Sequence, residues 1–192
     1  MDFCRSILYF LALISLLMDS VLCGKGGFYS FKVQNIRGKQ VSLEKYRGKV
    51  SLVVNLASEC GYTHEHYQEL AELQRDLVDK QKEPFTVLGF PCNQFGEQEP
   101  HDNSEIETFA RQKYQATFPL FAKIDVHDHS ANAAYKFLKE NSGRAPTWNF
   151  WKYLLDGEGN VIEVWGPRVS VSSIRPDIIQ AIDQLKSTHR EL

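Results

Sequence analysis

Val50 to Ala57 reads VSLVVNLA, β-branched and almost wholly apolar. That is the pattern of a strand covered on both faces, not of one that alternates between core and water. Phe85 to Phe90 (FTVLGF) repeats the pattern and is stopped by Pro91. Between them Tyr67, Leu70, Leu73, Leu77 and Val78 recur near helical spacing, which predicts a helix capped by Thr63 and running to about Lys80. Further along, the periodicity predicts a helix over Ser104–Tyr114, a strand over Phe118–Val126 and a helix over Ala131–Glu140. Two hairpins are expected. One joins Phe31–Asn35 to Gln40–Ser42 through Gly38, and the other joins Trp151–Leu155 to Val161–Trp165 through the turn residues DGEGN. A helix over Arg175–Leu185, with Pro176 tolerated in its first turn, closes the pattern. Strands alternating with helices predict an α/β domain in which the first two apolar strands lie side by side and parallel.

The amino-terminal residues read separately. Ile7 to Met18 (ILYFLALISLLM) is free of charge, follows Arg5 and is stopped by Asp19. A helix over it would cover about 18 Å of a hydrocarbon core roughly 30 Å thick. Residues 1–23 therefore read as a secretory signal, with a retained signal anchor as the alternative. Val21 and Cys23 are small enough to precede cleavage, which would leave a domain over residues 24–188 with Cys60 and Cys92 as its thiols. The tail over residues 189–192, HREL, differs by one residue from an HDEL retrieval signal, so the expected location is the lumen of the endoplasmic reticulum, or secretion if that tail is not read.

With 22 basic residues against 24 acidic ones and no basic block, the chain has no electrostatic footprint for nucleic acid. A thioredoxin-type dithiol would need Cys-x-x-Cys, and the chain has Cys60-Gly61-Tyr62-Thr63. His64 and His66, two apart on a helix, diverge and read as solvent-facing, so they build no metal site with Cys60.

Cys60 is expected at the carboxyl end of a buried strand and just before a helix, the edge at which open α/β sheets gather ligands and chemistry. A free thiol with a pKa near 8.5 is only about 3% thiolate at neutral pH, and a helix amino terminus can raise that fraction. Position alone also suits a small buried hydrophobe. Two other stretches bear on the choice. FPCNQFGEQEP (Phe90 to Pro100) begins at the end of the neighbouring strand, bringing Asn93 and Gln94 to the same edge. PTWNFWKYL (Pro146 to Leu154) offers an indole and an amide as a third strand begins. In a regular strand Trp148 and Asn149 would face opposite sides, so one site can use both only if their backbone is irregular.

NLASECGYT, FPCNQFGEQE and WNFWKYL resemble the three signature blocks of the glutathione peroxidase family, and the similarity spans roughly Phe28 to Leu185. The resemblance implies a thioredoxin-like fold, a central mixed sheet flanked by helices, with no bound cofactor and no metal. It puts Cys60 at the peroxidatic position and assigns Gln94, Trp148 and Asn149 as hydrogen-bond donors around it. The implied activity is that of a thiol peroxidase. Hydrogen peroxide or an organic or lipid hydroperoxide would oxidise Cys60 to a sulfenic acid, which glutathione or a protein disulfide isomerase in the endoplasmic reticulum would reduce. The resolving cysteine of thioredoxin-dependent relatives falls here on Arg111. Cys92 is then the remaining candidate resolving thiol, provided its Cα comes within about 7 Å of that of Cys60. Tetrameric relatives carry a longer insertion where only residues 144–147 separate Gly143 from Trp148, which implies a monomer with an open site. The competing expectation is a redox-sensing binding protein that crosslinks to lumenal chaperones with little turnover.

Overall fold

The computed structural model describes residues 26–190. The signal-like segment with Cys4 and Cys23, and the last two residues of the HREL tail, lie outside the described residues. Strands β1 (Lys32–Gln34) and β2 (Gln40–Ser42) form the expected hairpin, with Gly38 at φ 75° in its turn. A second sheet contains β3 (Val50–Leu56), β4 (Phe85–Pro91), β5 (Lys152–Leu155) and β6 (Val161–Trp165) in the order β4-β3-β5-β6. β3 runs parallel to β4 and antiparallel to β5, so the sheet is mixed. Among the described residues, four α-helices flank it: α1 (Thr63–Gln74), α2 (Asn103–Thr108), α3 (Ala133–Ser142) and α4 (Arg175–Arg190).

Every residue of β3 and β4 is buried, as their unbroken apolar pattern requires, and alternate side chains enter different cores. Val50, Leu52, Val54 and Leu56 pack with Leu70 of α1 and Ile178 of α4. Val53, Leu88 and Phe90 pack on the other face with Tyr135 and Leu138 of α3. This two-period division places Cys60 in the first cluster and Cys92 in the second.

Three expectations are corrected. Phe118–Val126 is not a strand. Pro119 has no N–H to give a ladder, and the segment meets β4 through an isolated bridge at Gly89, with Gly89 N–H to Pro119 O and Phe121 N–H to Gly89 O, and through one further bond, Ile124 N–H to Pro91 O, all at 3.0 Å. The α1 and α2 helices end early and continue as wider π-helical turns over Arg75–Lys80 and Phe109–Lys113. His66 is not solvent-facing: it is buried and stacked on Phe150, ring centroids 5.0 Å apart. Burial pushes its pKa down to about 4, helped by the nearby Lys152 charge.

Lys152 is the buried cation of this face. Its Nζ donates to Phe150 O at 2.8 Å and Gly166 O at 3.3 Å, and burial pushes its pKa down to about 7 against the opposing pull of Glu69 and Glu65. Above that pH the unfolded chain holds a proton that the folded chain has released, so stability must rise with pH until the unfolded lysine also titrates. The expected rise attributable to Lys152 is about 2 kcal/mol between pH 7 and pH 9. Urea denaturation of the wild type and of Lys152→Met at those two values checks it, because the variant should lose the rise.

Candidate active site

Because β3 and β4 are parallel and in register, with Leu56 opposite Pro91, both deliver their carboxyl ends to one edge of the sheet. β5 is antiparallel to β3, so its amino end, carrying Trp148 to Trp151, arrives at that same edge. The asparagine in the otherwise apolar β3 accounts for how this entry is held. Asn55 is fully buried. Its Nδ2 donates to Trp148 O at 3.0 Å, its Oδ1 accepts from Trp151 N–H at 3.0 Å and its carbonyl accepts from Phe150 N–H at 2.8 Å. Phe150 itself takes a left-handed φ of 64°. The backbone at Trp148 and Asn149 is therefore a turn and not a strand, the condition for both side chains to serve one site.

Cys60 lies in the short loop between β3 and α1 and is 9% exposed. Thr63 is the first residue of the helix, and its hydroxyl does not cap the helix. Instead it accepts from Cys60 N–H at 3.0 Å and donates to Ala57 O at 2.8 Å, while Thr63 N–H donates to Cys60 O at 2.9 Å. These bonds fix the thiol at the amino end of α1, where the helix dipole favours negative charge. Among the described residues the Cys60 sulfur has no hydrogen-bond partner.

Gln94 does not join this arrangement. Its Oε1 accepts from Val126 N–H at 2.7 Å and His127 N–H at 2.8 Å, and its Nε2 donates to His127 O at 3.2 Å and Ser130 Oγ at 3.4 Å. With both ends of the amide engaged it clamps the 126–130 loop. The glutamine at the Cys60 edge is Gln98. Its carbonyl accepts from Glu59 N–H at 3.0 Å, and its Oε1 accepts from Asn149 Nδ2 at 3.0 Å. The loop reaches this position by reversing at two successive left-handed residues, Gly96 at φ 68° and Glu97 at φ 53°. A Cβ on Gly96 would also stand 3.3 Å from the Trp148 ring.

Trp148 leans on Phe95, ring centroids 6.3 Å apart, and remains 37% exposed. Asn149 is fully buried, donating also to Phe95 O at 3.3 Å. Neither Gln98 Nε2 nor Trp148 Nε1 donates to any described residue. A sulfur at a helix amino terminus thus shares one sheet edge with two uncommitted N–H donors. Such an arrangement suits a thiolate and the oxygen leaving from it.

Cys92 occupies a different environment. It is fully buried in the second cluster, its Sγ accepts from Gln94 N–H at 3.4 Å, and burial pushes its pKa up to about 11. Both thiols are free. Because the sheet separates them, this conformation does not bring Cys92 to Cys60. Arg111 likewise faces inward, donating to Ala116 O and to Phe118 O. The described residues hold no cluster of metal-ligating side chains and no helix long and apolar enough to cross a membrane.

A family model described as glutathione peroxidase matches residues 28–139, and the chain belongs to the glutathione peroxidase family. It is a peroxidase of the thiol type, built on a thioredoxin-like fold. It is 55% identical over 178 residues to glutathione peroxidase 7 of Bos taurus, across 92% of this chain and 94% of that protein. It is 45% identical to a probable glutathione peroxidase 8-B of Xenopus laevis, across 93% and 85%. The crystal structure of Trgpx in apo form superposes with a TM-score of 0.69 at 35% identity, covering 83% of this chain and 97% of that one. A thiol:disulfide interchange protein of Chlorobium tepidum, 17% identical with a TM-score of 0.58 over 80% and 93%, shares the fold alone.

Proposed function

We propose that Cys60 is the peroxidatic thiol and that Gln98, Trp148 and Asn149, not Gln94, form its surroundings. The observation that carries this reading is the pair of bonds that tie Gln98 to Glu59 on one side and to Asn149 on the other. The Cys60 thiolate attacks the nearer oxygen of a hydroperoxide, the O–O bond breaks, and the departing oxygen takes a proton to leave as water or an alcohol. Cys60 becomes a sulfenic acid. Gln98 and Trp148 donate to the oxygen on which charge develops, and Asn149 holds the Gln98 amide in place. The exposed Trp148 at the rim suits organic and lipid hydroperoxides as well as hydrogen peroxide.

With Cys92 across the sheet, the second thiol comes from outside. A reductant thiol attacks the sulfenic sulfur, water leaves, and a second thiol releases Cys60 as the reductant's disulfide forms. Glutathione and a dithiol of the protein disulfide isomerase type are the reductants that fit a domain entering the secretory pathway. The HREL tail and the similarity to glutathione peroxidase 7 support the endoplasmic reticulum lumen as its location, and the short connection after Gly143 supports a monomer.

Mass mapping after one equivalent of hydrogen peroxide and one equivalent of glutathione, quenched with acid, tests this route. A Cys60–glutathione mixed disulfide is the expected product. A Cys60–Cys92 disulfide formed faster than the mixed one would overturn it.

A further inference from the structure

Behind Gln98, in the wall of the site, lies a carboxyl that the peroxide chemistry above does not use. Glu99 is fully buried, and neither of its carboxyl oxygens has a well-aligned hydrogen-bond partner. Its main chain cannot turn it out to water. The Glu99 N–H donates to Asn93 Oδ1 at 2.8 Å, and Lys123 Nζ donates to the carbonyls of Glu99 at 2.9 Å and His101 at 2.6 Å. Lys123 is thus engaged with the backbone and does not bond the carboxylate. Two further buried side chains without a partner lie close by, the hydroxyls of Ser58 and Tyr67. Ser58 is the favourable contact of the Glu99 carboxyl, and Tyr67 of α1 lies within its electrostatic reach.

We infer that Glu99 is a positioning residue of the peroxide reaction: while protonated it leaves the wall behind Cys60 uncharged, and when ionised, beside the Ser58 hydroxyl, it sets a buried negative charge behind the Cys60 thiolate and opposes it. The inference rests on Cys60 being the reactive thiol. Burial holds the Glu99 carboxyl protonated up to about pH 7, and the facing groups do not cancel that effect. Ser58 from the Cys60 loop, Lys123 and His101 favour the ionised form, while Glu59 opposes it. Cys92 at the end of β4 and Tyr67 on α1 are themselves held neutral, each pushed further that way by the Glu99 charge. The switch between the two forms therefore falls near neutral pH. A carboxyl that neutral pH can discharge costs little to bury, whereas a permanent charge there would need a partner.

Iodoacetamide alkylation of Cys60, followed by mass spectrometry from about pH 5 to about pH 9, reads the thiolate fraction without any peroxide. The wild-type profile should bend twice, once as Glu99 ionises and once as the thiol does. Glu99→Gln keeps the shape and removes the charge, so its profile should bend once and its rate near pH 8 should be about twofold that of the wild type. Ser58→Ala should move the first bend to higher pH, because the hydroxyl that favours the carboxylate is gone, and this variant decides the question should Glu99→Gln fail to fold. Profiles of the folded variants that superimpose on the wild type overturn the inference. Peroxide rates taken on the same samples keep the two ideas apart. A wild type no faster with peroxide than free cysteine would defeat the peroxidatic assignment, while the alkylation profiles would still judge Glu99.

Discussion

Cys60→Ser is expected to lower the second-order rate of hydrogen peroxide consumption by at least about a thousandfold, with little change in stability. A hydroxyl in place of the thiol keeps the bonds that fix the loop, because Thr63 grips the backbone N–H and carbonyl of residue 60 and not its side chain. What is lost is the nucleophile, since a serine hydroxyl with no neighbouring base is not ionised at neutral pH. Cys92→Ser is the control. Its thiol is covered and held neutral, so its loss should leave the first turnover with peroxide within about twofold of the wild type, the sort of effect expected from packing alone. Stopped-flow measurement of thiol consumption on the three proteins gives both values. Equal losses for the two variants would contradict the separation of the thiols by the sheet.

The second large effect divides the two glutamines. Gln98→Ala should cut the peroxide rate by about one hundred- to one thousandfold, the scale seen when one preorganised donor to a developing oxyanion is removed. It should also loosen Asn149, whose Nδ2 would keep only Phe95 O as acceptor. Gln94→Ala should do something else. Val126 N–H and His127 N–H lose their shared acceptor, which should cost about 2–4 kcal/mol in a denaturant melt. The folded protein should then react with peroxide at nearly the wild-type rate. If Gln94→Ala were instead the catalytic loss and Gln98→Ala the stability loss, the roles of the two glutamines would be reversed.

The choice between these residues shows where reading the chain stops. Both glutamines sit in one block, and spacing alone favours Gln94, which follows the end of β4 directly. The loop decides otherwise by turning back on itself at Gly96 and Glu97. The glycine hinted at such a turn, but the left-handed glutamate beside it did not. Asn55 was a clearer signal, a buried amide inside a strand that otherwise needs none, and its role in holding Trp148 and Trp151 could have been suspected from that contrast. The central strands were legible because burial on both faces leaves no polar positions to confuse the pattern. Phe118–Val126 has a similar apolar content, yet it serves to cover the edge of β4 and pack Phe121 onto Phe90 at a centroid distance of 4.3 Å. Apolar content reports burial, and it takes the hydrogen bonds of the segment, isolated bridges at Gly89 and Asn35, to show that no ladder forms. His66 misled for the opposite reason. A lone histidine on a polar-looking helix gives no sign that the aromatic ring of Phe150, far along the chain, will close over it.

We propose that peroxide reduction by this protein depends on a thiol fixed at the mouth of the sheet by Thr63, at the edge that also carries the uncommitted donors of Gln98 and Trp148. Stopped-flow measurement of the reaction of reduced protein with hydrogen peroxide tests that most directly. The expected result is a second-order rate far above that of free cysteine, lost in Cys60→Ser and sharply reduced in Gln98→Ala. A wild-type rate equal to that of free cysteine would contradict this chemistry, and would favour a thiol that senses or crosslinks without turning over.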